Sequence, residues 1–95
     1  MKKSQVNKCK TISDHYGRDS QEKQAVSELM ELGYVLTRRL VQRKESWREE
    51  LLDEIADVLI MVQQLSLIYQ LSDEDISRKV DSKLDRQLER IRHGE

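Results

Sequence analysis

The sequence predicts an all-α fold: a helical hairpin plus a third helix, completing a helical bundle by oligomerisation. Three observations carry that expectation. The 95-residue chain has no proline, no phenylalanine and only three glycines, a composition that suits helices and not sheets. Apolar residues recur at helical spacing, and Ser/Thr/Asp-type capping signals separate the periodic runs. A chain this short buries only about 60–65% of its unfolded surface, so a second copy is the expected source of further core.

Residues 1–18 read as a mobile or loosely packed leader, with Lys2, Lys3, Lys8 and Lys10, ending in His15-Tyr16-Gly17, where glycine permits a turn. Residues 19–95 read as one all-α domain. Asp19 and Glu22, at capping-box spacing, open a first helix to about Arg43, with Ala25, Leu29, Leu32, Leu36 and Leu40 along one face. Gly33 inside it predicts close approach of a neighbouring helix, since glycine there costs about 1 kcal/mol relative to alanine. Ser46-Trp47-Arg48-Glu49 has the Ser-x-x-Glu form, so a second helix runs from Trp47 to about Gln70. Ser72-Asp73-Glu74-Asp75 caps a third, ending near Gly94. There is no internal repeat and no sign of a second domain.

Seventeen Lys and Arg against eighteen Asp and Glu leave a net charge of -1, which gives no reason to expect nucleic acid or an anionic membrane as partner. Cys9 is the one cysteine, excludes an internal disulfide and fits a reducing compartment. The N-terminus lacks the apolar core of a signal peptide, and no apolar run reaches the roughly 18 residues of a membrane span. A cytoplasmic location is expected.

Chemistry concentrates in two acidic pairs, Glu28-x-x-Glu31 and Glu54-x-x-Asp57. From Leu51 to Val62 nine of twelve residues are apolar and point in almost every direction round a helix, which predicts a segment packed on all sides. Only the stripe through Glu50, Glu54 and Asp57 stays charged. A short loop at about residues 44–46 would make the first two helices antiparallel, so that both pairs face each other across one seam. Two like charges at about 4 Å and an effective dielectric near 20 repel by about 4 kcal/mol, so such a cluster calls for cations. All-oxygen ligation favours Mg²⁺, with Mn²⁺ as substitute, over zinc. Ordinary ion pairing with Lys and Arg is the alternative, with more force for Glu28 and Glu31 than for the pair in the apolar segment. Gln21 and Gln24 continue the acidic stripe of the first helix.

The third helix sorts its charges by face. Lys79, Lys83, Arg86 and Arg90 form a row beside the apolar stripe Ile76, Val80, Leu84, Leu88 and Ile91, while Asp81, Asp85 and Glu89 lie on the other side. Such a row could meet phosphates in a groove shared with the carboxylates, or could simply be a solvated face. Trp47, Tyr34 and Tyr69 read as packing residues, and Met30 and Met61 as core fillers. His15 and His93 lie in a loose or terminal region, and no Glu-x-x-His pair of the ferritin type exists. Walker, zinc and Ser/His/Asp patterns are absent from the sequence.

Taken together, ELMEL (28–32), DEIADVLIMVQQL (53–65) and KLDRQLERI (83–91), preceded by HYG, resemble the small single-domain MazG-like nucleotide pyrophosphohydrolases of the all-α NTP pyrophosphohydrolase superfamily. Their signature is E-E-x-x-E, a spacer, then E-x-x-D, and the resemblance covers about residues 12–92. It implies a homodimer or homotetramer and hydrolysis of a nucleoside triphosphate to its monophosphate plus pyrophosphate. It also implies Mg²⁺ on Glu28, Glu31, Glu54 and Asp57, which are then the catalytic set. Lys83, Arg86 and Arg90 become the expected phosphate contacts, with Gln21 and Gln24 as further substrate-binding candidates. Ser27 stands where the signature has its first glutamate. That departure favours the alternative function, a catalytically degenerate helical module that binds nucleotide or a protein partner.

Overall fold

A computed structural model describes residues 1–42 and 45–94 of the chain. Four helices follow one another: α1 (Lys3–Tyr16), α2 (Arg18–Val41), α3 (Trp47–Ile68) and α4 (Asp73–Arg92), with no strand among the described residues. The fold is all-α. Arg43 and Lys44, in the expected connection between the first two long helices, lie outside the described residues.

The segment read as a loosely packed leader is instead helix α1, packed chiefly on α3 and more lightly on α2. Its inward face is narrow. Cys9 and Ser13, four residues apart, are buried, and two such small side chains let the α1 backbone lie close to its neighbour. Apart from Val6, Ile12 and Tyr16 the helix is polar, so its apolar face is thin among lysines and other polar residues. It is closed locally by the Lys2 backbone N–H donating to Gln5 Oε1 at 2.8 Å and by a Lys10–Asp14 ion pair at 2.8 Å. Gly17, at φ +84, then turns the chain into α2, and its N–H donates to the Ser13 carbonyl at 2.9 Å. Because α2 already begins at Arg18, Asp19 is a first-turn residue and not the cap; its charge still suits the positive end of the helix.

Helices α2 and α3 form the central antiparallel pair. Four cross-links read off its register: Glu22 with Tyr69, Glu28 and Glu31 with Asp57 and Glu54, and Arg38 with Glu50. The expected capping box at Ser46 is not made, since Ser46 is itself in helical geometry and its side chain caps nothing. The start of α3 is held across the seam instead. Arg38 Nη2 donates to Glu50 Oε2 at 2.8 Å, and the Arg39 guanidinium lies 4.9 Å from the centre of the Trp47 ring. At the other end, Leu71 N–H and Gln70 N–H return to the carbonyls of Ser66 and Leu67, with Gln70 left-handed at φ +55. Ser72 caps α4 as its sequence predicts, its Oγ accepting from Asp75 N–H at 3.1 Å.

The buried apolar set is small: Cys9, Ala25, Val35 and Met61. Several expectations about packing therefore fail. Leu29, Leu36 and Leu40 on α2 are exposed, Leu40 at 85%, and a Cβ placed on Gly33 would meet nothing within 4 Å. Met30 is exposed, whereas Met61 is core. On α3, Leu52, Ile55, Leu59 and Val62 are uncovered, so this segment is packed on one side only. Helix α4 has no Cα within 8 Å of any Cα of α1, α2 or α3, and its stripe Val80, Leu84, Leu88 and Ile91 is bare. The radius of gyration is 16.3 Å, against about 12 Å for a compact chain of this length. No helix among the described residues is long and apolar enough to cross a membrane.

Candidate metal and substrate site

The antiparallel register brings the two acidic pairs together. Glu28 and Glu31 sit one turn apart on α2, Glu54 and Asp57 one turn apart on α3, and one carboxylate oxygen from each lies within 4.8 Å of the others. Glu28, Glu54 and Asp57 are half-buried and Glu31 is exposed. None of the ion pairs among the described residues involves any of the four. Glu50, the third carboxylate of the α3 stripe, is taken by Arg38 and stands apart from the cluster.

Two oxygens of the cluster, Glu28 Oε2 and Glu54 Oε2, are buried and have no hydrogen-bond partner. The second oxygen of Glu28 accepts from Gln24 Nε2 at 2.7 Å, so Gln24 orients a carboxylate. Burial, and then the charges of Glu31, Asp57 and Glu28, push the Glu54 carboxyl above the usual range; a hydrogen bond with Glu31 adds to this. Asp57 is raised by burial first, then by the charge of Glu28 and a hydrogen bond with it, and by Asp53. Both effects have one origin: like charges crowded with two oxygens left unsatisfied. Buried carboxylate oxygens converging without a counter-charge are what a hard divalent cation would satisfy. Ser27 is exposed and outside the cluster.

A cavity of about 390 Å³ opens beside the carboxylates. Glu28 and Asp57 edge it, Gln21 and Gln24 line its α2 side, Met61 and Gln64 its α3 side, and Ile12 and Tyr16 of α1 close it. Gln21 and Gln24 thus lie where their stripe on the first helix puts them. Tyr16, Ile12 and Gln64 were missed in the sequence; the signal for the first two was α1 itself, hidden by its polar outer face. The expected phosphate contacts Lys83, Arg86 and Arg90 are on α4, which does not approach α2 or α3, so the chain does not bring them to its own carboxylates. No family model, curated protein or solved structure matches this chain.

The raised carboxyls give stability a definite pH dependence. A carboxyl whose folded pKa lies above its unfolded value contributes stability that is fully present below the unfolded pKa and is lost as pH rises through the folded one. The ion-free cluster therefore weakens the fold as pH rises, and a bound divalent cation would offset this. Thermal unfolding is expected to show a Mg²⁺-induced rise in Tm that shrinks as pH falls and protons occupy the oxygens. Glu54→Gln is expected to raise the Tm of the ion-free protein and to remove most of the Mg²⁺ response.

Proposed function

We propose that the chain is a Mg²⁺-dependent nucleoside triphosphate pyrophosphohydrolase of the MazG-like kind, cleaving an NTP or dNTP to the monophosphate and pyrophosphate. The observation that carries this reading is the convergence of Glu28, Glu31, Glu54 and Asp57, two of them with orphaned buried oxygens, at the edge of a cavity of nucleotide size. These are the positions at which the resemblance assigns the metal. The donor set fits Mg²⁺ or Mn²⁺: all oxygen, four carboxylates, one of them exposed and open to water and phosphate. When bound, the ion would supply charge neutralisation for the triphosphate and acidify a water.

The chain's own groups divide the remaining work. Gln24 holds Glu28 in place through its 2.7 Å hydrogen bond. Water adds across the α–β phosphoanhydride, that bond breaks, and a carboxylate of the cluster takes the proton that water loses. The cavity, whose lining includes Ile12, Tyr16 and Met61, would receive the nucleoside end.

A homodimer or homotetramer is part of the same proposal. Apolar stripes are bare on α2, α3 and α4, and α4 stands clear of its own chain. A second copy would cover them and provide a route by which Lys83, Arg86 and Arg90 could flank a carboxylate cluster. Sedimentation of the full chain at micromolar concentration is expected to give a dimer or larger; a monomer would remove both the assembly and the phosphate role of those cations.

The degenerate binding module is retained as a second reading because of Ser27. The two separate in one assay, in which the full chain with Mg²⁺ and a panel of NTPs and dNTPs is scored for pyrophosphate and monophosphate together. The enzyme reading expects equal amounts of both, with at least about a hundredfold loss in Glu54→Gln and helical content retained. Nucleotide binding without pyrophosphate release would select the module, and full activity in Glu54→Gln would sink the site assignment.

A further inference from the structure

We infer that α1 is a hinged lid over the carboxylate cavity: it opens as a unit about Gly17 while the α2–α3 hairpin stays folded, and an occupant of the cavity holds it shut. The opening stands on how α1 is attached; the occupant rests on the nucleotide reading above.

Every side-chain hydrogen bond and ion pair that α1 makes among the described residues stays within residues 1–16. The Lys2 N–H donates to Gln5, Lys10 pairs with Asp14, the Thr11 hydroxyl donates to the Asn7 carbonyl, and the Cys9 thiol meets Met1 Sδ. The hairpin, by contrast, is cross-linked by Arg38 with Glu50 and by Tyr69 with Glu22. What holds α1 down is the burial of Cys9 and Ser13, and that burial is imperfect. Ser13 Oγ is buried without a hydrogen-bond partner, and a gap of about 150 Å³ lined by Lys10, Ser13, Asp14, Leu67 and Ile68 lies between α1 and α3. An unpartnered buried hydroxyl is a cost of the docked state that water removes on opening. An element with few buried contacts and no polar link to its neighbours is the one that opens at the lowest free energy.

The connection suits a hinge. One residue, Gly17, joins α1 to α2, at φ +84 and ψ 169. That conformation is open to glycine and strained for any side chain, and a Cβ placed there would meet nothing within 4 Å. The elbow therefore depends on backbone freedom alone, and a side chain at this position would penalise the docked angle without a clash.

Docking of α1 is tied to the cavity by Ile12 and Tyr16. Both line it, together with Asp57 and Met61 of α3, yet they are 41% and 60% exposed. The chain itself leaves the largest apolar side chains of the lid half-covered, and a molecule in the cavity would supply the missing contact. Whatever binds the closed form better than the open one shifts the lid towards closure.

Two single-copy reporters separate the lid from the hairpin. Cys9, the one cysteine, is 4% exposed on α1, and Trp47, the one tryptophan, starts α3, roughly 30 Å along that helix from Leu67. The test alkylates Cys9 of the full chain with iodoacetamide over a range of urea concentrations and follows hairpin unfolding by Trp47 emission. The opening equilibrium at Cys9 is expected to exceed the unfolding equilibrium at Trp47 by about tenfold or more and to depend less on urea. Gly17→Ala is expected to speed alkylation about tenfold, and Ser13→Ala, which removes the unpartnered hydroxyl, to slow it about tenfold. Fraying of Met1 alone would uncover Cys9 without involving either position. Mg²⁺ with a nucleoside triphosphate whose α–β bridge is a methylene group is expected to slow alkylation about tenfold or more at saturation. Equal equilibria at Cys9 and Trp47 with the same urea dependence, or alkylation indifferent to Gly17→Ala and Ser13→Ala, would overturn the inference. So would an analogue that binds by equilibrium dialysis and leaves the Cys9 rate unchanged. Failure of the analogue to bind, with the two variants behaving as expected, would keep the lid and remove the nucleotide reading instead.

Discussion

Everything else in the molecule depends on the antiparallel register of α2 against α3. That register sets Glu28 and Glu31 opposite Asp57 and Glu54, an arrangement that repels itself, so other contacts must hold the pair in line. They sit at the two ends of the seam. Arg38 and Glu50 form a partly buried ion pair at the hairpin end, and at the far end the Tyr69 hydroxyl donates to Glu22 with the Arg18 guanidinium 5.2 Å from the centre of the tyrosine ring. Between them, Ala25, Val35 and Met61 supply the apolar contact. The acidic cluster is thus held at the middle of a clamp.

Helix α1 turns this clamp into a site. The hairpin alone would leave the carboxylates on an open seam, but the glycine elbow folds α1 back over it so that Ile12 and Tyr16 close a cavity against Gln21 and Met61. Its attachment needs little apolar surface because Cys9 and Ser13 are small enough for close approach. Helix α4 stands in the opposite relation to the hairpin. It is well capped by Ser72 and strongly segregated by face, yet it packs on nothing in its own chain. A helix with an apolar stripe and no partner draws little stability from packing, so under the proposed assembly the second copy would supply what α4 lacks.

How much of this could be read from the sequence follows from where the information resides. The three long helices, their near-correct ends and the acidic seam were legible because periodicity and capping residues are local signals, and because carboxylates in an apolar run conflict with their surroundings. Ser72 illustrates a local signal that the structure uses. Ser46 has the same form and is not used: it is itself in helical geometry, and contacts from Arg38 and Arg39 hold the start of α3. Helix α1 was hard to read because its apolar residues, Val6, Cys9, Ile12 and Tyr16, are few and set among polar ones. The apolar character of α3 was read as burial on all sides, yet Leu52, Ile55, Leu59 and Val62 are bare: hydropathy records that a face needs covering, not which molecule covers it. The separation of the α4 cations from the carboxylates follows from the same limit.

The central claim is that the four carboxylates constitute one divalent-cation site. Its most direct test is titration of the metal-free chain with Mn²⁺ at neutral pH, reading free ion by electron paramagnetic resonance, with Mg²⁺ as competitor and Glu54→Gln as control. The predicted result is stoichiometric binding of at least one Mn²⁺ per chain, displaced by Mg²⁺ and weakened about tenfold or more by Glu54→Gln. Weak binding that is the same in the wild type and in Glu54→Gln would contradict it.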